Sequence, residues 1–253
     1  MQRSYFRRVA AGSAVAALTF AGVGALTATP AYAATAEVSV VHGIPDTPVD
    51  VYVNGEKTLD NFTPGDVAGP LSLAEGTYDI ALTKPGEPVD SAILTVDDAE
   101  VPGGTNISLA AHLDASGQPK ITPFVNDTPK VEAGKSRLIV RHTAAAPAVD
   151  VRAGGTPVFT ELTNPNEAKA DVDAGSVSAD VVLAGTETVA IGPADLDLGE
   201  GTATIIYAIG SAEANSLEVV AQTITGLHST PAGVPSGDGG QAATGTNTWW
   251  YLL

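Results

Sequence analysis

The chain has 253 residues, 12 Lys and Arg against 29 Asp and Glu, a formal net charge of −17, and no cysteine. That acidic balance excludes nucleic acid and anionic membrane surfaces as expected partners, because both repel it, and it favours solubility and cationic or basic partners. With no cysteine there can be no disulfide staple and no thiol nucleophile, so each folded domain must be held by its apolar core alone.

In chain order the first predicted element is a leader. Arg3, Arg7 and Arg8 precede an apolar stretch from Val9 to Leu26, and Ala31-Tyr32-Ala33 closes it with small residues around a cleavable position. These are the parts of a secretory signal peptide, with the cut expected after Ala33. The stretch is rich in Ala and Gly and marginal in length for a membrane anchor. Phe6 and Ala10 stand where a twin-arginine signal has a small polar residue and an aromatic, so the general export route is the expected one. Removal of residues 1–33 takes three arginines, leaving 9 − 29 = −20. The expected localisation is therefore secreted or extracellular, with cell-wall association as a further option.

An internal repeat organises the rest of the chain. Val38-Ser39-Val40-Val41-His42 leads, eight residues after the His, to Asp50 within Val49-Asp50-Val51-Tyr52-Val53-Asn54-Gly55. Leu138-Ile139-Val140-Arg141-His142 leads by the same eight residues to Asp150 within Val149-Asp150-Val151-Arg152-Ala153-Gly154-Gly155. The offset is 100 residues here and drifts slightly further on, where Gly104-Thr105-Asn106-Ile107 answers Gly201-Thr202-Ala203-Thr204. A period this long implies two globular domains, over 34–129 and 130–227, and not a solenoid.

Each copy reads as short strands. Val49, Val51 and Val53 alternate with Asp50 and Tyr52, the pattern of a half-buried strand, and Asn54-Gly55 is a hairpin turn whose residues accept positive φ. Further strands are expected at 77–83, 91–96, 106–112 and 121–125, then at 136–142, 149–153, 176–183, 202–209 and 216–225. No long helical period occurs. About seven short strands per hundred residues predict an all-β chain of two tandem immunoglobulin-like β-sandwiches. The turn glycines Gly103-Gly104 and Gly154-Gly155 are expected to mark hairpins.

From residue 228 the composition becomes rich in Gly, Pro, Ser and Thr, which predicts a flexible tail. It ends in Trp249-Trp250-Tyr251-Leu252-Leu253, after Gln241-Ala242-Ala243-Thr244-Gly245, a degenerate form of a wall-sorting motif. Five apolar residues are too few to span a bilayer, so no membrane span is expected in the mature chain. One reading of this end is a truncated wall-anchoring signal; the other is an apolar end that packs on a domain.

The stretch His42-Gly43-Ile44-Pro45-Asp46-Thr47-Pro48-Val49-Asp50-Val51-Tyr52-Val53-Asn54-Gly55 resembles the V-H-x-S-P-D-A-P-x-V-D-V-Y-x-x-G signature of the bacterial domain of unknown function 4397, with Ile44 in place of the family's Ser. The second copy keeps His142, Pro147, Val149, Asp150 and Val151 but has Ala144-Ala145-Ala146 where Ser-Pro-Asp would stand. The resemblance implies two tandem copies of a β-sandwich in an exported actinobacterial protein, with no established activity. If the Ser-Pro-Asp stretch holds a ligand, the second copy lacks that site.

The candidate ligand-binding residues are His42, Asp46, Asp50 and Tyr52. His42 and His142 each end a core-facing row by alternation, which favours a structural role; one His per domain falls short of a zinc site. No Gly-x-Ser-x-Gly elbow or Ser-His-Asp order is present. The acidic runs Asp97-Asp98 with Glu100 and Asp195, Asp197 with Glu200 lack EF-hand spacing and read as solvated loop tips. The sequons at Asn61, Asn106 and Asn126 are read as inert. No catalytic residue, metal or cofactor is expected. The expected function is a non-enzymatic binding or structural module of the bacterial envelope, a monomer whose partner is an unidentified envelope component, glycan or protein. The alternative is a secreted hydrolase of polysaccharide or peptide that uses Asp46 and Asp50.

Overall fold

The computed structural model describes residues 33–229. The expected leader up to Tyr32 and the tail from Thr230, with its sorting-like motif, lie outside the described residues; the tail is expected to begin at 228, but His228 and Ser229 are held against Val131. The described chain is built of sixteen strands. In the first half these are β1 (Thr35–His42), β2 (Val49–Val53), β3 (Glu56–Phe62), β4 (Val67–Ala74), β5 (Gly76–Thr83), β6 (Leu94–Val101), β7 (Asn106–Leu113) and β8 (Pro119–Val125). In the second they are β9 (Lys135–His142), β10 (Val149–Ala153), β11 (Thr156–Leu162), β12 (Glu167–Asp173), β13 (Gly175–Leu183), β14 (Val189–Leu198), β15 (Ala203–Ile209) and β16 (Glu218–Ile224). A three-residue 3-10 turn at Val89–Ser91 is the sole helical element among the described residues.

Each half is a sandwich of two four-stranded sheets. The orders are β3-β2-β5-β6 and β4-β1-β7-β8 in the first, β11-β10-β13-β14 and β12-β9-β15-β16 in the second. The second pair of orders is the first with eight added to every strand number. In both halves the strand that carries the His runs parallel to one neighbour, β1 to β7 and β9 to β15, and antiparallel to the other.

Five strands, β3, β4, β11, β12 and β14, are absent from the sequence expectation. All five lie at sheet edges. Glu56–Phe62 and Glu167–Asp173 are mostly polar, and β4 contains Gly69-Pro70; an edge strand tolerates both because one side of its backbone and much of its surface meet water. The Asn54-Gly55 turn takes positive φ at both residues, 50° and 79°, and the Gly154-Gly155 turn takes 57° and 78°, as hairpins require. Gly103-Gly104 is a correction: it carries the chain from β6 in one sheet to β7 in the other, so it crosses the sandwich and is no hairpin.

Alternation sets the cores. Val49, Val51, Phe62, Ile80 and Leu82 fill the first sandwich, and Leu138, Val140, Val149, Val151 and Ile206 the second. A third cluster belongs to neither: Val41, Ala110 and Phe124 on the outer face of the β4-β1-β7-β8 sheet meet Ile139, Ile205, Tyr207 and Val220 of the β12-β9-β15-β16 sheet. These sheets are thus covered on both faces, and all seven residues of β15 are buried. A strand so placed is a near-continuous apolar run, which Ile205-Ile206-Tyr207-Ala208-Ile209 is. The described residues from Ala33 onward fall in one compact unit.

Candidate functional site

The signature residues build the end of the sandwich where β1 passes into β2. His42 is fully buried and stacks on Phe62 with ring centroids 5.6 Å apart. Its Nε2 lies 2.8 Å from the Thr47 carbonyl oxygen. A carbonyl only accepts, so Nε2 carries the proton and Nδ1 is left as a buried acceptor with no partner. His142 repeats this, with Nε2 2.9 Å from the Pro147 carbonyl and Nδ1 again unpartnered. Burial outweighs the carbonyl contact and lowers both pKa values from 6.5, which keeps the rings neutral. In each copy the His clamps the loop that follows its own strand.

Asp50 is the second brace. Its side chain is completely buried, and Oδ1 accepts the Asn61 N–H at 2.7 Å while Oδ2 accepts the Gly86 N–H at 2.9 Å and the Lys57 ammonium. Desolvation alone would raise the carboxyl; the Asn61 N–H, Lys57 and the Gly86 N–H outweigh it and hold the pKa at about 2. One carboxylate thereby ties the irregular end of β3, where Asn61 has φ 49°, to the turn after β5. Asp150 accepts the Glu161 and Gly185 N–H groups at 2.8 and 3.0 Å, with Glu161 at φ 54°. The residue equivalent to Lys57 is Pro157, so the second brace has no cation.

Tyr52 donates its hydroxyl to the Glu87 carbonyl at 2.9 Å, and Lys57 lies over its ring. Asp46 alone of the four candidates is exposed; it sits at the loop tip with φ 54°. That tip, Pro45-Asp46 with Pro48 and Pro64, forms one wall of an open cleft of about 580 Å3 whose other wall is 215–218 of the second sandwich. Two carboxylates, Asp46 and Glu218, border it. The structure thus ties three of the candidates into the framework and leaves Asp46 at a surface cleft. The acidic runs are not loop tips, since Asp97, Asp98 and Glu100 lie in β6 and Asp195 and Asp197 in β14, and they do not gather: Glu200 accepts the Gly134 N–H, and the backbone N–H of Asp98 donates to Asp79. Among the described residues no group of three His, Asp or Glu is placed to hold a metal ion.

Sequence reasoning missed the polar centre between the sandwiches. Arg141 is fully buried, donating to Glu167 at 2.9 Å, to the Tyr207 hydroxyl at 2.6 Å and to Asn126 Oδ1 at 2.8 Å. Its guanidinium lies 4.4 Å from the Phe124 ring centroid and 5.2 Å from that of Tyr207. The Tyr207 hydroxyl donates to Gln222 Oε1, which also accepts from Ser108 of the first sandwich, each at 2.8 Å. Arg137 holds the connecting segment through the Asp127 and Pro129 carbonyls and is itself paired with Asp171. The signal was available: Arg141 occupies the position of Val41 and follows Leu138-Ile139-Val140, and an Arg in a buried position needs partners.

The Ala144-Ala145-Ala146 departure finds its reason here too. Ala144 is buried, Ala145 packs on the core of the first sandwich, and Asn164 donates to the carbonyls of Leu113 and Ala144 at 2.8 and 2.7 Å. Small side chains at 144–146 let the second copy's loop close on the first copy's sheet, where the first copy's Asp46 meets solvent.

Residues 36–152 match a family model described as a domain of unknown function (DUF4397). The match spans the first sandwich and runs through Arg152 in β10. No curated protein matches the chain. Among the described residues no helix is long and apolar enough to cross a membrane.

Proposed function

We propose that this chain is a non-enzymatic, exported binding or structural module of the bacterial envelope, made of two copies of one domain. The observation that carries the reading is the use of the polar signature residues: His42, Asp50 and Tyr52 each hold backbone of their own sandwich, and His142 and Asp150 do the same in the second. A general acid or base must reach substrate with a titratable atom. A brace buried under its own loops serves shape instead. Recognition then falls to the loop-tip cleft between Asp46 and Glu218, whose two carboxylates suit a basic peptide or the hydroxyl groups of a glycan.

The test is a binding screen of the full chain against cell-wall polymers, glycans and basic peptides, run beside a turnover screen on the same panel. Retention of one class, weakened at least tenfold by Asp46→Asn, which removes the charge but tolerates the positive φ, with the melting temperature unchanged, is the expected result. Turnover abolished by that substitution would replace the module with a hydrolase.

A further inference from the structure

The two sandwiches share a topology but are not equally filled. In the first, Val53, Ile80 and Val96 form one row across β2, β5 and β6, paired strand to strand. The same row in the second is Ala153, Ala179 and Ala194, paired in the same way across β10, β13 and β14. Tyr78, which also faces the first interior, is answered by Val177. Truncating a whole row on an unchanged scaffold leaves space, and the cavities follow: about 30 Å3 in the first sandwich and about 230 Å3 in the second. A cavity of ~150 Å3 lined by aliphatic side chains admits benzene.

We infer that the second sandwich is a binding site for an uncharged aliphatic chain, seated along the Ala153-Ala179-Ala194 row. The shape argues for a chain, since three adjacent strands at a spacing of ~4.8 Å make a slot of about 10 Å, one side chain deep. The lining argues for an uncharged one. Beyond the alanines it is chiefly Leu138, Val140, Val177, Ile191 and Ile206, and its charged members are Arg152, Asp180 and Asp195. Arg152 is committed to Asp180 through two hydrogen bonds, at 2.9 and 2.6 Å, and to Glu187. Asp195 has no ion pair among the described residues. No cation is free to receive a carboxylate or phosphate, and the one uncompensated charge repels them. The slot opens beside the exposed Val219 of β16 and the exposed Ala194 of β14, which gives the chain an entry between two sheet edges. This site is separate from the Asp46 cleft and stands whether or not that cleft binds anything.

The experiment is calorimetric titration of the full chain with octan-1-ol and with octanoate. Octan-1-ol is expected to bind, with octanoate at least tenfold weaker. Ala179→Ile, which restores the first sandwich's residue, should reduce octan-1-ol binding at least tenfold without lowering the melting temperature; Ala153→Val makes the same test should Ala179→Ile not fold. Absence of octan-1-ol binding, equal binding of octanoate, or a filled variant that binds like the parent would each overturn the assignment.

Discussion

The first sandwich is closed and braced by charge, whereas the second is loosely filled and carries the polar centre by which the two are joined. Asp50 is clamped by two N–H groups and Lys57, and its interior leaves about 30 Å3. Asp150 has N–H groups alone, its interior leaves about 230 Å3, and Arg141 replaces Val41 on the face turned to the neighbour. The two sandwiches thus share one strand order and one set of braces, and they differ in interior volume and in the charge on the shared face.

The strongest way to break this comparison is a charge in a core. Val51 is 2% exposed, so Val51→Asp should destabilise by more than ~4 kcal/mol, because an unpaired carboxylate there has neither water nor a cation. Since the sandwiches share a buried face, amide protection should fall in both halves in hydrogen exchange. Full protection retained across β9 to β16 would show that the halves fold independently.

Arg141→Ala comes next. It strands Glu167 and removes the donor of Asn126 and Tyr207, an expected loss of about 3–5 kcal/mol in denaturant unfolding. Arg141→Met, which removes the charge but keeps apolar volume, should lose less. Equal losses would mean that the volume of the side chain is immaterial and that its hydrogen bonds carry the whole effect.

Filling separates the interiors. Ile80→Ala, which carves the second sandwich's gap into the first, should cost about 2–5 kcal/mol, and Ala179→Ile should be neutral or stabilise by up to ~2 kcal/mol. A loss on Ala179→Ile comparable with that on Ile80→Ala would mean the row is already full.

The braces give the smallest difference. Asp50→Asn should cost about 2 kcal/mol and Asp150→Asn about 1 kcal/mol, as a charged acceptor is replaced in each but only in the first does an ammonium lose a carboxylate, Lys57 keeping Asp60 alone. For Asp50 the folded pKa of about 2 lies below the ordinary 3.8. Its stabilisation is therefore present above pH 3.8 and is lost as the pH falls toward 2. His42 and His142, lowered by burial from 6.5, add an earlier decline that begins as the pH drops through 6.5, where the unfolded chain takes up protons first. A melting temperature flat from pH 7 to 5 would mean that the histidines contribute nothing to the acid response.

Much of this was legible in the sequence. The His-to-Asp spacing of eight pointed to two halves, which have corresponding strand orders, and alternation in Val49–Val53 pointed to buried valines flanking Asp50, as found. Five of the eight edge strands were not legible, because a strand with one free side can carry the polar or Pro-containing sequence of a loop. Nor were the partners of Asp50: Asn61 and Gly86 lie 11 and 36 residues away, and only β2–β3 and β2–β5 pairing brings them together. The polar centre was hidden for a related reason. Arg141, Tyr207, Gln222 and Ser108 come from four strands of two sheets, and no local pattern joins them.

The crossing of the chain at Val131 has a mechanical consequence. Val131 enters the second sandwich and His228 leaves it, yet the two form a parallel bridge, with the Val131 N–H bonded to the Leu227 carbonyl at 2.8 Å and the Ser229 N–H to the Val131 carbonyl at 3.1 Å. Tension applied between Thr35 and Ser229 therefore passes through this clasp from the exit directly to the connecting segment, and the second sandwich hangs beside the load path. Only when the clasp shears does force reach β9 to β16. In a single-molecule pull the expected record is a first yield at Val131–Ser229, followed by release of the second sandwich; an initial step that frees the first sandwich instead would mean that the clasp outlasts the sandwich that lies in the load path.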